Sequence, residues 1–110
     1  MRIVWVSRHE LNEKNHEILK KAFGEYEVVQ YKETVKDVAE LLDFARNVMA
    51  DALIVVLPPN ILQELIQKKG SISVYRFTVE RIVKEDGSVK FIPTGLEEIV
   101  EIKIVTRRVV

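Results

Sequence analysis

The densest group of polar side chains in the first half of the chain is Ser7, Arg8, His9 and Glu10, directly after the first apolar segment. A guanidinium such as that of Arg8 can bind a phosphate or carboxylate through two parallel hydrogen bonds. An imidazole such as that of His9 can supply a proton or a hydrogen bond near neutral pH. The alternative interpretation is a solvated loop that leads into a helix capped by Asn12. The position of the group, at the end of a predicted strand, is what favours binding.

Arg8-His9 resembles part of the Arg-His-Gly motif of the histidine phosphatases, in which the histidine is the phosphoryl acceptor. The resemblance covers two residues, because Glu10 replaces the glycine. That family also needs a second histidine in the pocket and a much longer catalytic domain. The second histidine here, His16, is predicted to lie in a helix close behind the loop. We therefore do not assign the chain to this family, and we predict no catalytic residues.

The sequence lacks the residues that several other kinds of chemistry need. It contains no cysteine, which excludes disulfides, thiolate catalysis and thiolate metal sites. Its first turn has no glycine to let backbone approach a pyrophosphate, and no Gly-rich loop ends in Lys-Ser or Lys-Thr. Acidic pairs at strand ends are missing, and the two histidines are seven residues apart. The sequence predicts no bound metal and no cofactor.

Charge and hydropathy limit the partners. Seventeen Lys and Arg balance seventeen Asp and Glu, whereas binding to nucleic acid through charge normally shows a basic excess. No apolar run approaches the ~18 residues of a membrane span, and the first apolar segment is too short for a signal peptide. We expect a cytoplasmic protein that binds neither membrane nor nucleic acid. The many Glu and Lys residues are compatible with a thermophilic source.

Hydrophobic periodicity predicts alternating strands and helices up to residue 70 and strands alone after it. Asn12 and Thr34 are the predicted caps of the first two helices. Asp86-Gly87 predicts a hairpin, and Pro93-Thr94-Gly95 predicts a second turn. The predicted strands are 2–7, 27–32, 52–57, 72–84, 89–92 and 99–106, and the predicted helices are 13–23, 35–49 and 61–69.

This order predicts a single α/β domain over residues 1–110, with a βαβαβα core in 1–70 and a β-rich extension in 71–110. The fold class is a Rossmann-like, three-layer βαβαβαβ arrangement with a mostly parallel sheet and a C-terminal antiparallel extension. Strand orders 2-1-3-4 and 3-2-1-4 both fit. The first is favoured, because 52–57 is continuously apolar and should be interior, whereas 27–32 is half polar and suits an edge.

In that order the strand sequence reverses between the first and third strands. Ligands of open α/β sheets bind at such a point, beyond the carboxyl ends of the strands. The loop after strand 1, Asn60 after strand 3 and Arg76 on the next strand would meet there. The predicted ligand-binding residues are Ser7, Arg8, His9, Glu10, Asn60 and Arg76.

These expectations favour a non-catalytic protein that binds a small anionic or nucleotide-type ligand and acts as a homodimer. The dimer is predicted through the C-terminal strands, since Val109-Val110 is an unusual ending for a frayed tail and an apolar edge invites pairing. Two alternatives remain open. One is an interaction or oligomerisation module without a small ligand, and the other is an enzyme acting on phosphoesters or nucleic acid.

Overall fold

The structure is a computed structural model that describes residues 1–102 and 105–110. Among these residues, no helix has the length and apolar character needed to cross a bilayer. The elements are β1 (Arg2–Val6), α1 (Glu13–Phe23), β2 (Glu27–Tyr31), α2 (Val38–Asn47), β3 (Ala52–Val55), α3 (Pro59–Lys68), β4 (Ser73–Val83) and β5 (Val89–Glu98).

The strands form one sheet in the order β2-β1-β3-β4-β5. The first four strands are parallel, and β5 pairs antiparallel with β4. All four residues of β3 are buried, while β2 lies at the edge and is only partly buried. The predicted α/β class and the strand order 2-1-3-4 are therefore confirmed. The continuous apolar run identified the interior strand because both of its faces are covered.

Helices cover both faces of the sheet. On one face, α2 and α3 bury residues such as Leu41 and Leu65 against alternate residues of β1, β3 and β4. On the other face, α1 buries Leu19 against Ile3, Trp5 and neighbouring strand residues. This face of the sheet is thus covered by one helix, whereas the opposite face is covered by two.

The helices begin where side-chain caps are available. α1 has its predicted bounds, and Asn12 and Asn15 cap each other across its first turn. The helix predicted over 35–49 is present but shorter, and the predicted Thr34 cap was wrong. Asp37 caps α2 by accepting a hydrogen bond from the backbone N–H of Ala39 at 2.9 Å, and the Thr34 hydroxyl bonds to Arg8 instead.

The C-terminal region differs most from the expectation. Pro93-Thr94-Gly95 is not a turn, since β5 continues through it with an irregularity opposite Thr78 and Val79. An edge strand tolerates proline because one side of it has no partner strand. The predicted strand 99–106 was wrong for its described residues, 99–102 and 105–106, which lie in no strand. Ile99 is buried in the core, and the partly buried Ile102 packs against it. The rest of that prediction, residues 103 and 104, lies outside the described residues.

Candidate functional site

An open cleft of about 240 Å³ lies at the carboxyl ends of β1 and β3, where the strand order reverses. Three segments meet there: the end of β1, the loop after β2, and the stretch that leads from β3 into α3. We call it the β1–β3 cleft. It is lined by Val6, Ser7, Arg8, Glu33, Thr34, Val35, Val56, Leu57, Pro58 and Ile61.

Arg8 is the one basic residue in the lining of this cleft. Its guanidinium donates a hydrogen bond of 2.8 Å to the hydroxyl oxygen of Thr34. Among the described residues, Arg8 takes part in none of the side-chain ion pairs, which involve Arg2, Lys14 and other cations. The guanidinium is thus held by a neutral group and keeps its remaining N–H donors for another partner.

The first turn of α3 forms another wall of the cleft through Pro58 and Ile61. α3 begins at Pro59, its N-cap residue Pro58 offers no side-chain cap, and its first turn contains no acidic residue. The first N–H groups of a helix lack intrahelical partners and carry the positive end of the helix dipole. This end of the cleft therefore favours negative charge, although Pro59 removes one donor.

The cleft also contains one acidic residue, Glu33, so the formal charge of its lining is zero. Burial, followed by the nearby charges of Glu33 and Glu40, raises the pKa of Tyr31 above its ordinary value. Recognition of an anion here would depend on directed N–H donors and not on a general positive field.

The loop after β1 is fixed mainly by its backbone. The carbonyl oxygen of His9 accepts hydrogen bonds from Trp5 Nε1 at 2.7 Å and from Gln30 Nε2 at 3.0 Å. The hydroxyl of Ser7 accepts the backbone N–H of His9 at 3.1 Å. These contacts hold Ser7 and Arg8 at the end of β1, while the His9 side chain is exposed and outside the lining of the cleft.

Three other predicted residues lie elsewhere. Glu10 lines a separate cleft together with Trp5 and His16, which belong to the α1 side of the sheet. Asn60 is exposed in the first turn of α3 and is not part of the lining. Arg76 lines a third cleft, where its Nε and Nη2 atoms both lie 3.1 Å from one Glu97 oxygen. Of the six predicted residues, the β1–β3 cleft brings together Ser7 and Arg8.

The sequence analysis missed the contribution of the loop after β2. Thr34 and Glu33 line the cleft because β2 is parallel to β1 and ends at the same edge of the sheet. Applying the strand-end rule to β2 as well would have identified them. Thr34 was instead interpreted as a helix cap, a role for which its residue type is equally suited.

Within residues 1–102 and 105–110, no group of three or more His, Asp or Glu side chains is arranged to hold a metal ion. Comparison of the chain with models of protein families, with curated proteins and with solved structures gives no match. The site must therefore be interpreted from its own geometry.

Proposed function

We propose that this protein binds a small anionic ligand of nucleotide type in the β1–β3 cleft and does not itself catalyse a reaction. One observation carries the proposal. Arg8 extends a guanidinium into the cleft, hydrogen-bonded to the Thr34 hydroxyl at 2.8 Å and in none of the ion pairs among the described residues. A guanidinium with free donors binds phosphate or carboxylate with defined geometry.

The surroundings of Arg8 support the same ligand class. The uncapped first turn of α3 lies in the same cleft, and a helix N-terminus stabilises a nearby anion by about 0.3–1 kcal/mol. The volume of about 240 Å³ is slightly below the roughly 300 Å³ at which pockets for whole small molecules begin. The cleft therefore suits the anionic group of a ligand whose remainder extends beyond it, over the exposed side chain of Val56.

Binding without catalysis is favoured by the arrangement of the polar groups. A nucleophile needs a base within hydrogen-bond reach. The Ser7 hydroxyl accepts a backbone N–H from His9, and the His9 imidazole is outside the lining of the cleft. Glu33 is the one carboxylate in the lining, and among the described residues no hydrogen bond joins it to the Ser7 hydroxyl.

Thermal unfolding with and without added anions tests the proposal. The probes are inorganic phosphate, pyrophosphate, citrate, AMP and ADP. A ligand at 100 times its Kd stabilises the folded protein by about 2.7 kcal/mol, which raises the Tm of a domain of this size by roughly 10 °C or more. We expect at least AMP or ADP to raise the Tm in this way, and Arg8→Ala to abolish the increase.

The matched control is Arg46→Ala, which removes an exposed guanidinium on α2 that pairs with Asp43. It should leave the ligand-induced shift unchanged. Without ligand, Arg8→Ala should change the free energy of unfolding by less than about 1 kcal/mol, as is usual for a surface substitution. The proposal is wrong if none of the probes shifts the Tm of the wild type, or if Arg8→Ala and Arg46→Ala respond alike.

A further inference from the structure

The β1–β3 cleft contains a guanidinium and a carboxylate that are not paired with each other. Arg8 donates a hydrogen bond to the Thr34 hydroxyl oxygen, and Glu33, the residue before Thr34, is exposed in the same lining. Within residues 1–102 and 105–110, neither Arg8 nor Glu33 is in a side-chain ion pair. No side-chain hydrogen bond in that part of the chain ends on the Glu33 carboxylate. One ligand can therefore contact both charged groups.

Glu33 restricts the kind of ligand group that can lie beside it. An ionised carboxylate has two oxygens that accept hydrogen bonds and no group that donates one. Glu33 repels the anionic group that Arg8 binds, since like charges repel at short distance even in water. The part of the ligand next to Glu33 must therefore carry hydrogen-bond donors. Two hydroxyls on neighbouring carbons can donate one bond to each carboxylate oxygen.

The spacing of the two charged groups suits a nucleoside monophosphate. Glu33 and Thr34 are adjacent in the loop after β2, and the Cα atoms of adjacent residues are about 3.8 Å apart. A ribonucleotide carries its phosphate and its two free hydroxyls on the same sugar. It can place the phosphate against Arg8 and the uncapped first turn of α3 while the hydroxyls reach Glu33.

We propose that Glu33 accepts hydrogen bonds from the 2′- and 3′-hydroxyls of a ribose, so that the cleft binds ribonucleotides in preference to deoxyribonucleotides. This recognition of the sugar rests on the proposed function, because Arg8 must bind the phosphate for the ribose to reach Glu33. The base then extends out of the cleft, over the exposed side chain of Val56. Arg8 supplies affinity for the phosphate, and Glu33 is a specificity-determining residue.

An ammonium group is the other ligand group that Glu33 would attract. The nucleotide class favoured by Arg8 and the first turn of α3 carries neighbouring hydroxyls and no ammonium, so the ribose needs no further assumption about the ligand. The two kinds of recognition also differ in a measurable way. A carboxylate that serves an ammonium group does not distinguish AMP from 2′-deoxy-AMP.

Isothermal titration calorimetry of the full chain with AMP, 2′-deoxy-AMP, 3′-deoxy-AMP and inorganic phosphate tests the proposal. We expect AMP to bind roughly tenfold or more tightly than either deoxynucleotide. The reason is that a carboxylate placed to accept a hydroxyl proton loses a charge-assisted hydrogen bond when the hydroxyl is missing. Inorganic phosphate, which has no sugar, measures the contribution of the anionic group alone.

Glu33→Gln separates recognition of the sugar from repulsion of the phosphate. The amide has the size of the original side chain but lacks its charge and one of its acceptor oxygens. AMP should bind roughly tenfold more weakly to this variant, with about the affinity of 2′-deoxy-AMP. Inorganic phosphate should bind at least as tightly as to the wild type, because a nearby negative charge is gone. A carboxylate that only repels anions would instead make both ligands bind more tightly when it is replaced.

The matched control is Glu40→Gln, on α2 and outside the lining of the cleft. Glu40 is a second carboxylate whose charge raises the pKa of Tyr31, so the control removes a similar charge from the same neighbourhood. It should leave all dissociation constants unchanged. Because Glu33 is exposed, circular dichroism should show Glu33→Gln folded, and the comparison of AMP with its deoxy analogues needs no variant.

The outcomes separate this proposal from the binding of an anion as such. If the wild type binds AMP and 2′-deoxy-AMP equally, or if Glu33→Gln binds AMP more tightly, recognition of ribose by Glu33 is wrong. Binding of anions in the cleft then still stands, provided that Arg8→Ala abolishes it. A wild type that binds neither AMP nor inorganic phosphate would overturn both.

Discussion

The two halves of β4 show how differently the same residue type is used in the body of the molecule, residues 1–78, and in the arm, which is the outer part of the β4–β5 hairpin, residues 79–93. Val74, in the inner half, is fully buried between β3 and the helices α2 and α3. Val79, five residues later, is 56% exposed. Both lie in one continuous strand, Val74 on the face that α2 and α3 cover and Val79 on the opposite face. What differs is the cover supplied by the rest of the molecule.

An apolar residue in a strand therefore predicts a face that packs against something, but it does not show which element packs there. In the body, the cover is a helix from the same chain. Along β4, the ring of Phe77 still contacts Trp5. Further along, Val79 and Val83 are more than half exposed, although Pro93, opposite Val79, is buried.

The largest effect is expected from a matched pair of substitutions in β4. Val74→Ala should lower the free energy of unfolding by about 2 kcal/mol or more, because it removes buried methyl groups and leaves a cavity. Val79→Ala should lower it by less than about 0.5 kcal/mol. Urea titration measures both values. Equal losses from the two substitutions would show that the arm is packed against the body.

A smaller effect is expected at the tip of the arm. The Asp86 carboxylate accepts hydrogen bonds from the hydroxyl and the backbone N–H of Ser88, at 2.6 and 2.9 Å. The hydroxyl bond and then the backbone bond lower the pKa of Asp86 below its ordinary value. The resulting stabilisation of the turn is fully present above the pKa of the unfolded carboxyl and is lost as the pH falls through the folded pKa.

Titration of the side-chain carboxyl signal by NMR tests this turn. The midpoint of Asp86 should lie below 3.8, and Ser88→Ala should raise it. An unchanged midpoint in Ser88→Ala would remove the hydroxyl as the cause of the shift. Because the site is fully exposed, the global stability of the body should hardly respond to this substitution.

The order of elements and strands was predictable because it depends on local signals. Alternating periodicity located the elements, and the buried run of β3 identified the centre of the sheet. The start of α2 was not predictable, since Thr34 and Asp37 are both good caps and a distant residue, Arg8, engages the Thr34 hydroxyl. The length of β5 was obscured by Pro93, which is a turn signal in most settings but is accepted in an edge strand.

The part of the candidate site that lies at the carboxyl ends of strands was predictable from the sequence. Ser7 and Arg8 could be placed in the β1–β3 cleft because the reversal of strand order determines where it lies. The orientation of Glu10 toward a different cleft depends on how the loop is held by Trp5 and Gln30. The pairing of Arg76 depends on the register of β5, which local sequence does not specify.

The most direct test of ligand binding by the body is an NMR titration of the uniformly ¹⁵N-labelled full chain with AMP. We expect saturable shifts in the backbone amides that line the β1–β3 cleft, including those of Ser7, Arg8 and Thr34. We expect no comparable shifts in the arm. Amides of the cleft that do not respond at millimolar AMP, or a response centred on residues 79–93, would contradict the assignment of ligand binding to the body.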